Sequence, residues 1–163
     1  MNEKVKSNFE SGAKKFDRIY DPSEGKSILS RWLDNRFRKT MYFRFDQTLE
    51  DIKNEKIQSI LDVGCGSGRY CVEYLKMGKK VVGIDMASNM LKIAKETCFM
   101  AVPEGEIEFI YGNYSEHHFE EQYDAAVLTG LFDYIEDSES MLKKLKTDVK
   151  YMVLGSFPVS YTH

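Results

Sequence analysis

The chain has 163 residues, of which 42% are hydrophobic and 30% are charged, as is typical of one soluble globular domain. This composition excludes collagen-like, coiled-coil and disordered chains. No apolar run reaches the roughly 18–20 residues of a membrane span, so no membrane partner is expected. The three cysteines are odd in number and lack the spacing of zinc ligands. They predict free thiols in a reducing cytoplasm and no metal site.

The net charge of −3 is unevenly distributed along the chain. Residues 1–44 contain 11 Lys/Arg and six Asp/Glu, whereas the remainder contains 12 and 20. A basic N-terminal segment is compatible with an anionic substrate or with RNA, and a solvated helical face has the same composition. Its charge density is below that of a nucleic-acid-binding arm, which makes nucleic acid the less favoured partner.

Residues 1–56 are predicted to form an N-terminal helical segment within a single domain. Its polar beginning contains the aromatic residues Phe16 and Tyr20. These two aromatic residues either belong to a lid that covers a binding site and helps to bind the substrate, or anchor the segment on the first helix. The helix itself follows from apolar residues that recur every three or four positions, which are Leu33, Phe37, Met41, Phe45, Leu49 and Ile52.

From residue 57 onward, short β-rich runs alternate with amphipathic helices. Gly78 is predicted to end the first of these helices, and Ser88 to cap the second. Such alternation with short loops predicts an α/β fold, a doubly wound and mainly parallel sheet with helices on both faces. The predicted strands are 57–63, 81–85, 107–111, 123–129 and 151–157, and the helix before the last of them covers 138–146.

The chain stops shortly after its apolar fifth strand. Proteins usually protect an apolar strand at a sheet edge. We therefore expect further chain, a tail or a partner to cover this strand, and a homodimer through its edge is one such arrangement. The core at 57–163 is accordingly expected to be incomplete at its C-terminal side.

The turn after the first strand, Gly64-Cys65-Gly66-Ser67-Gly68, is the most informative segment of the sequence. Glycines let the backbone approach a ligand and turn into the next helix. Asp85 ends the second strand, where a carboxylate can accept hydrogen bonds from both ribose hydroxyls. Asp62 lies in an otherwise apolar strand, where it needs donors or a cation, although capping of nearby amides would also satisfy it.

These residues favour an adenosine ligand other than a dinucleotide. A dinucleotide fingerprint requires a third glycine at position 69, which is Arg69. Asp62 would in addition repel a pyrophosphate. A ligand with an ammonium group and no phosphates fits better, and S-adenosylmethionine is such a ligand. The alternative interpretation, with a different chemistry, is an oxidoreductase that binds a nicotinamide dinucleotide.

Four segments in order resemble the class I S-adenosylmethionine-dependent methyltransferases, whose fold is Rossmann-like. They are residues 60–68, 82–91, 111–114 and 123–134, so the resemblance covers about 57–157. In that family the sheet continues into an antiparallel strand pair, which this chain lacks. The resemblance implies that S-adenosylmethionine is the cofactor, S-adenosylhomocysteine the product, and the cofactor-binding residues Asp62, Gly64, Cys65, Gly66, Gly68, Asp85, Met86, Met90, Asn113, Tyr114, Gly130 and Leu131.

The predicted function is in-line methyl transfer to a small-molecule acceptor. A general base is needed only if the acceptor is protonated at neutral pH, and the candidates are Asp133, Tyr134 and Tyr20. Asp133 is equally explained as a loop carboxylate, and Met86 as a core residue. The alternatives are a regulatory, non-catalytic cofactor-binding protein and an RNA methyltransferase.

Overall fold

The computed structural model describes residues 42–132, 135 and 137–156. Within these ranges helices and strands alternate along the chain, as the sequence pattern predicts, except that no helix separates the third strand from the fourth. Residues 42–52 are helical and are called α1. The other elements are β1 (Ser59–Val63), α2 (Arg69–Lys76), β2 (Lys80–Asp85), α3 (Ser88–Ala101), β3 (Ile107–Tyr111), β4 (Tyr123–Thr129), α4 (Ser138–Asp148) and β5 (Val149–Ser156).

The five strands form one parallel sheet in the order β3-β2-β1-β4-β5. This arrangement confirms the predicted α/β class. The bounds of β3 and β4 coincide with the prediction. The last strand begins at Val149 and not at Tyr151, because α4 ends at Asp148 and leads into it without a loop.

Two helix ends test the predicted start and stop signals. Gly78 has a φ of +73°, and its N–H donates to the Leu75 carbonyl while the Lys79 N–H donates to that of Tyr74. This Schellman arrangement confirms that Gly78 ends α2. The prediction that Ser88 caps α3 is wrong, because Ser88 is already helical and the N-cap is Ala87, without a side-chain cap.

The sheet has a separate hydrophobic core on each face. Alternate residues of β1 point to opposite sides, so Ile60 belongs to the core under α1, α2 and α3, and Leu61 to the core under α4. Helix α1 joins the first core through Ile52, which is fully buried. Burial on both faces explains why the central strands are almost continuously apolar.

The connection between β3 and β4 contains no helix within the described residues 112–122. In place of a helix, Tyr114 and Phe119 pack against the core that α4 covers. Their rings are 6.0 Å apart between centroids. This irregular connection therefore covers the sheet face beside α4 with aromatic side chains.

Strand β5 pairs only with β4 in the part of the chain that the structure describes, and all the pairings found there are parallel. Tyr151 and Val153 of β5 are exposed. The homodimer through this edge stays a prediction. No described helix combines the length and the apolar character needed to cross a membrane.

Candidate functional site

A cavity of about 620 Å³ lies at the carboxyl ends of the central strands. It is at the position where the strand order reverses, between β1 and β4, which is where open α/β sheets bind their ligands. Asp62 and Gly68, both predicted cofactor-binding residues, do not line it. The other ten predicted residues do, namely Gly64, Cys65, Gly66, Asp85, Met86, Met90, Asn113, Tyr114, Gly130 and Leu131.

The glycine turn after β1 forms one wall of the cavity. Gly64 and Gly66 have φ angles of +75° and +54°, a conformation that costs other residues free energy. The N–H of Gly64 donates to the Ile84 carbonyl over 2.8 Å, which attaches the turn to β2. The turn therefore presents its backbone to the cavity at a defined position.

Asp85 connects the glycine turn with the start of α3. Its Oδ2 accepts a hydrogen bond of 2.8 Å from the Gly66 N–H, and its Oδ1 accepts one of 2.8 Å from the Ala87 N–H. Burial raises the pKa of this carboxyl above its ordinary value, and the hydrogen bonds from backbone N–H groups offset only part of that rise. The Met86 N–H also contributes to the hydrogen bonding of this carboxyl, so at least one of its roughly four acceptor sites is left for a hydroxyl donor from the cavity.

Asp62 lies behind the glycine turn and is only 4% exposed. The thiol of Cys71 donates to its Oδ2 over 3.2 Å. Burial raises the pKa of Asp62 to about 7, against the effect of this thiol and with a contribution from the Asp85 charge. A buried carboxyl with a weak donor gains from a nearby cation, because the cation stabilises its ionised form.

Gly68 serves the packing of two helices. It precedes α2 with a φ of +77°, and a Cβ added to it would lie 2.9 Å from the Cβ of Ala94 in α3. A side chain at this position would therefore push α3 away from α2. Close packing is the task of the third glycine in a dinucleotide fingerprint, and Gly68 performs it here one position earlier.

A second wall consists of two methionines and the residues after β3. Met90 packs under the glycine turn and is buried, whereas Met86 is half-buried and borders the cavity. Asn113 donates to Glu116 over 2.7 Å and accepts from the Ser115 N–H. This wall therefore offers apolar surface from the methionines and an amide oxygen from Asn113.

The wall opposite the glycine turn follows β4. Gly130 has a φ of +76°, and it directs the chain so that Leu131 faces Gly64. A Cβ added to Gly64 would lie 3.2 Å from Cδ1 of Leu131. The two walls are thus so close that any side chain at Gly64 would narrow the cavity between them.

The sequence matches the model of the methyltransferase domain family over residues 60–150, more than half of the chain. The matched segment contains the glycine turn, Asp85 and the walls of the cavity. The chain belongs to the methyltransferase domain family. This membership confirms the family resemblance of the four sequence segments.

Curated and structural relatives of this methyltransferase domain agree with that assignment. A ubiquinone biosynthesis O-methyltransferase from Aliivibrio fischeri is 28% identical over 141 residues, which are 80% of this chain and 59% of the relative. A malonyl-[acyl-carrier protein] O-methyltransferase from Priestia megaterium is 31% identical over 100 residues, covering 60% and 34% of the two chains. The chain thus spans about three fifths or less of these relatives.

A solved structure shares the fold. The magnesium protoporphyrin IX methyltransferase from Synechocystis PCC 6803, crystallised with bound S-adenosylhomocysteine, has a TM-score of 0.77 to this chain at 18% identity. The match covers 96% of this chain and 72% of that protein. At this identity the likeness establishes the Rossmann-like fold, in agreement with the prediction.

The three candidates for a general base, Asp133, Tyr134 and Tyr20, lie outside the described residues, as does the proposed lid around Phe16. The described residues contain no group of three or more His, Cys, Asp or Glu side chains that could hold a metal ion. The three cysteines are free, as the sequence predicts, and all three are buried.

The cavity is also lined by residues that the sequence interpretation did not include. For four of them the signal is helical spacing, because Ser140, Met141 and Lys144 share one face of α4 and Asp137 is its N-cap, three positions before Ser140. Arg69, which stands where a dinucleotide fingerprint has its third glycine, also lines the cavity. The full set is Arg44, Val63, Ser67, Arg69, Tyr70, Ile84, Ala87, Gly112, Ser115, Thr129, Ile135, Asp137, Ser140, Met141 and Lys144.

Proposed function

We propose that this chain is an S-adenosylmethionine-dependent methyltransferase that acts on a small-molecule acceptor. The observation that carries the proposal is the position of Asp85, whose carboxylate joins the glycine turn to α3 on the wall of the cavity. Membership of the methyltransferase domain family supports it. Two relatives are named O-methyltransferases, which favours an oxygen atom as the methyl acceptor.

The residues around the cavity fit this cofactor in charge and shape. Asp85 would hold the ribose hydroxyls, because its carboxylate has acceptor capacity left beside its backbone N–H donors. Asp62 would complement the ammonium group from behind the glycine turn. Burial raises the pKa of Asp62 to about 7, and a nearby cation would stabilise its charged form. Met86 offers an apolar surface for a purine, and Asn113 offers a side-chain oxygen for its amino group.

S-adenosylmethionine supplies, when bound, a methyl group activated by the adjacent sulfonium. The task left to this chain is to orient the acceptor in line with that group and to exclude water. The close approach of Leu131 to Gly64 narrows the cavity and would help to exclude water. Asp133 and Tyr134, which follow Leu131 in the sequence, and Tyr20 remain the proposed candidates for removing a proton from the acceptor.

Calorimetric titration with S-adenosylhomocysteine tests the cofactor part of the proposal. Asp85→Asn should weaken binding by roughly 10- to 100-fold, the range for hydrogen bonds to a charged group. The 2′-deoxy analogue of the ligand should lose affinity for the natural protein but less further affinity for Asp85→Asn, because both changes act on the hydrogen bonds between residue 85 and the ribose. Glu104→Gln, an exposed change in the turn after α3, is the matched control.

The outcomes separate the candidate functions. Binding of NAD without binding of S-adenosylhomocysteine would favour the oxidoreductase and refute the proposal. Cofactor binding followed by release of S-adenosylhomocysteine in the presence of phenolic or carboxylic acceptors would support catalysis. Cofactor binding with no product from any acceptor would instead favour a regulatory, non-catalytic protein.

A further inference from the structure

Three side chains connect the wall after β3 with helix α4. The Tyr114 hydroxyl donates to Oδ2 of Asp148 over 2.8 Å, and Nζ of Lys144 donates to the same oxygen over 2.8 Å. Tyr114 is 4% exposed and Asp148 is 8% exposed. Tyr114 and Lys144 line the cavity, whereas Asp148 lies behind them.

This cluster holds the Tyr114 ring at its edge and at its face. Asp148 binds the hydroxyl group, and Nζ of Lys144 lies 4.8 Å from the ring centroid, within the range of a cation–π interaction. Burial and the neighbouring Asp148 both raise the pKa of Tyr114 well above its ordinary value. The hydroxyl therefore keeps its proton and acts as a donor throughout the usual pH range.

Among the described residues, the other side-chain attachments of the connection that carries Tyr114 lie beyond the wall residues 112–115: Phe119 packs against the core under α4, and the Gln122 side chain donates to the Thr147 carbonyl. The connection contains no helix within residues 112–122, and the backbone hydrogen bonds of Glu116 and His117 in its turn are local, to Asn113 and Tyr114. The Gly112 N–H is bonded to the Asp85 carbonyl, which fixes only its beginning. Tyr114 is thus a polar anchor between this connection and α4.

We propose that Asp148 is a positioning residue for the cofactor site, because it holds Tyr114 and, through it, the cavity wall formed by residues 112–115. This inference rests on the proposed function. Asp148 acts without touching the ligand. When the anchor is removed, the connection adopts other positions, and the observed affinity falls with the fraction of molecules in which the wall is correctly placed.

The test compares two ligands that differ only at the purine edge, S-adenosylhomocysteine and S-inosylhomocysteine. Asp148→Leu and Tyr114→Phe should each weaken binding of the adenosyl ligand by about tenfold and reduce its preference over the inosyl ligand. Asp148→Asn keeps an acceptor for the tyrosine hydroxyl and should restore most of the affinity. In the Tyr114→Phe background, Asp148→Leu should cost little further affinity.

Asp124→Asn is the matched control, since Asp124 is also 8% exposed. Its Oδ2 accepts hydrogen bonds from the N–H groups of Gln58 and Ser59 at the opposite end of the sheet. This variant should lower the free energy of unfolding without changing the preference between the two ligands. A loss of stability alone therefore does not imitate the predicted effect.

Each outcome of these binding measurements supports or refutes the role of Asp148. If the natural protein binds S-adenosylhomocysteine and Tyr114→Phe and Asp148→Leu keep its affinity and ligand preference, the role of Asp148 is refuted while the proposed function stands. If the natural protein binds neither ligand, the proposed function fails and the inference fails with it. If Asp148→Leu does not fold, Asp148→Ala replaces it in the same comparison, because alanine also removes the acceptor of the Tyr114 hydroxyl.

Discussion

Asp62→Asn should change the pH dependence of stability in a direction set by the burial of Asp62. The carboxyl is 4% exposed, and the thiol of Cys71 donates to it. Its pKa is raised from 3.8 to about 7 in the folded chain, chiefly because burial disfavours the charged form. A folded-state pKa above the unfolded one means that the folded protein binds the proton more tightly.

The sign and size of the effect follow from these two pKa values. The stability that Asp62 contributes by its protonation is fully present below pH 3.8 and is lost as the pH rises through about 7. Between pH 5.5 and 8 the loss covers about 1.5 pH units, or about 2 kcal/mol at about 1.4 kcal/mol per unit. Asparagine does not titrate, so its variant lacks this loss.

The assay is urea unfolding of both proteins at pH 5.5 and pH 8, without ligand. The stability of Asp62→Asn relative to the natural protein should rise by about 2 kcal/mol between the two pH values, or roughly 4–8 °C in Tm. Asp124→Asn is the control, because the pKa of Asp124 is lowered, its burial being outweighed by the N–H groups of Gln58 and Ser59. The stability that ionised Asp124 contributes is lost only as the pH falls through that lowered pKa. The stability of Asp124→Asn relative to the natural protein should therefore not change between pH 5.5 and pH 8.

A constant difference between Asp62→Asn and the natural protein at the two pH values would refute the reasoning. It would mean that Asp62 titrates at an ordinary pKa, and that its surroundings are more polar than the contact with Cys71 indicates. The same variant should bind S-adenosylhomocysteine more weakly at pH 8, since it lacks the charge proposed to face the ammonium group. A gain in stability together with a loss of affinity is the expected signature of a binding residue.

Two further predictions concern packing and charge. Gly68→Ala and Gly78→Ala both place alanine at a positive φ, but only the Gly68 Cβ meets a neighbouring helix, at 2.9 Å. Gly78→Ala should therefore cost about 1 kcal/mol and Gly68→Ala about 1–3 kcal/mol more in thermal unfolding, and equal costs would contradict the proposed helix contact. Lys144→Met should lower stability by about 1–3 kcal/mol, because its side chain is 19% exposed and pairs with buried Asp148. Lys143→Met, at a side chain 73% exposed, should stay within about 0.5 kcal/mol, and a similar effect of both would argue against the buried pair.

Local sequence pattern determined much of the fold. The strands Ile107–Tyr111 and Tyr123–Thr129 have the predicted bounds because β-rich runs end there at turn residues. Gly78 ends its helix as predicted, since a left-handed residue is needed at that point. The glycine turn and Asp85 were also predictable, because the turn follows β1 and Asp85 ends β2, and the carboxyl ends of parallel strands meet at one edge of the sheet.

Tertiary structure alone decided which of these residues reach the cavity. Asp62 and Gly68 belong to the same sequence motif as Gly66, yet Asp62 lies behind the turn and Gly68 packs against α3. Tyr114 and Asp148 are 34 positions apart, and no local spacing predicts their hydrogen bond. Local pattern depends on neighbours along the chain and therefore determines the elements. Contacts between distant residues depend on how the sheet brings its connections together, and only the folded chain determines them.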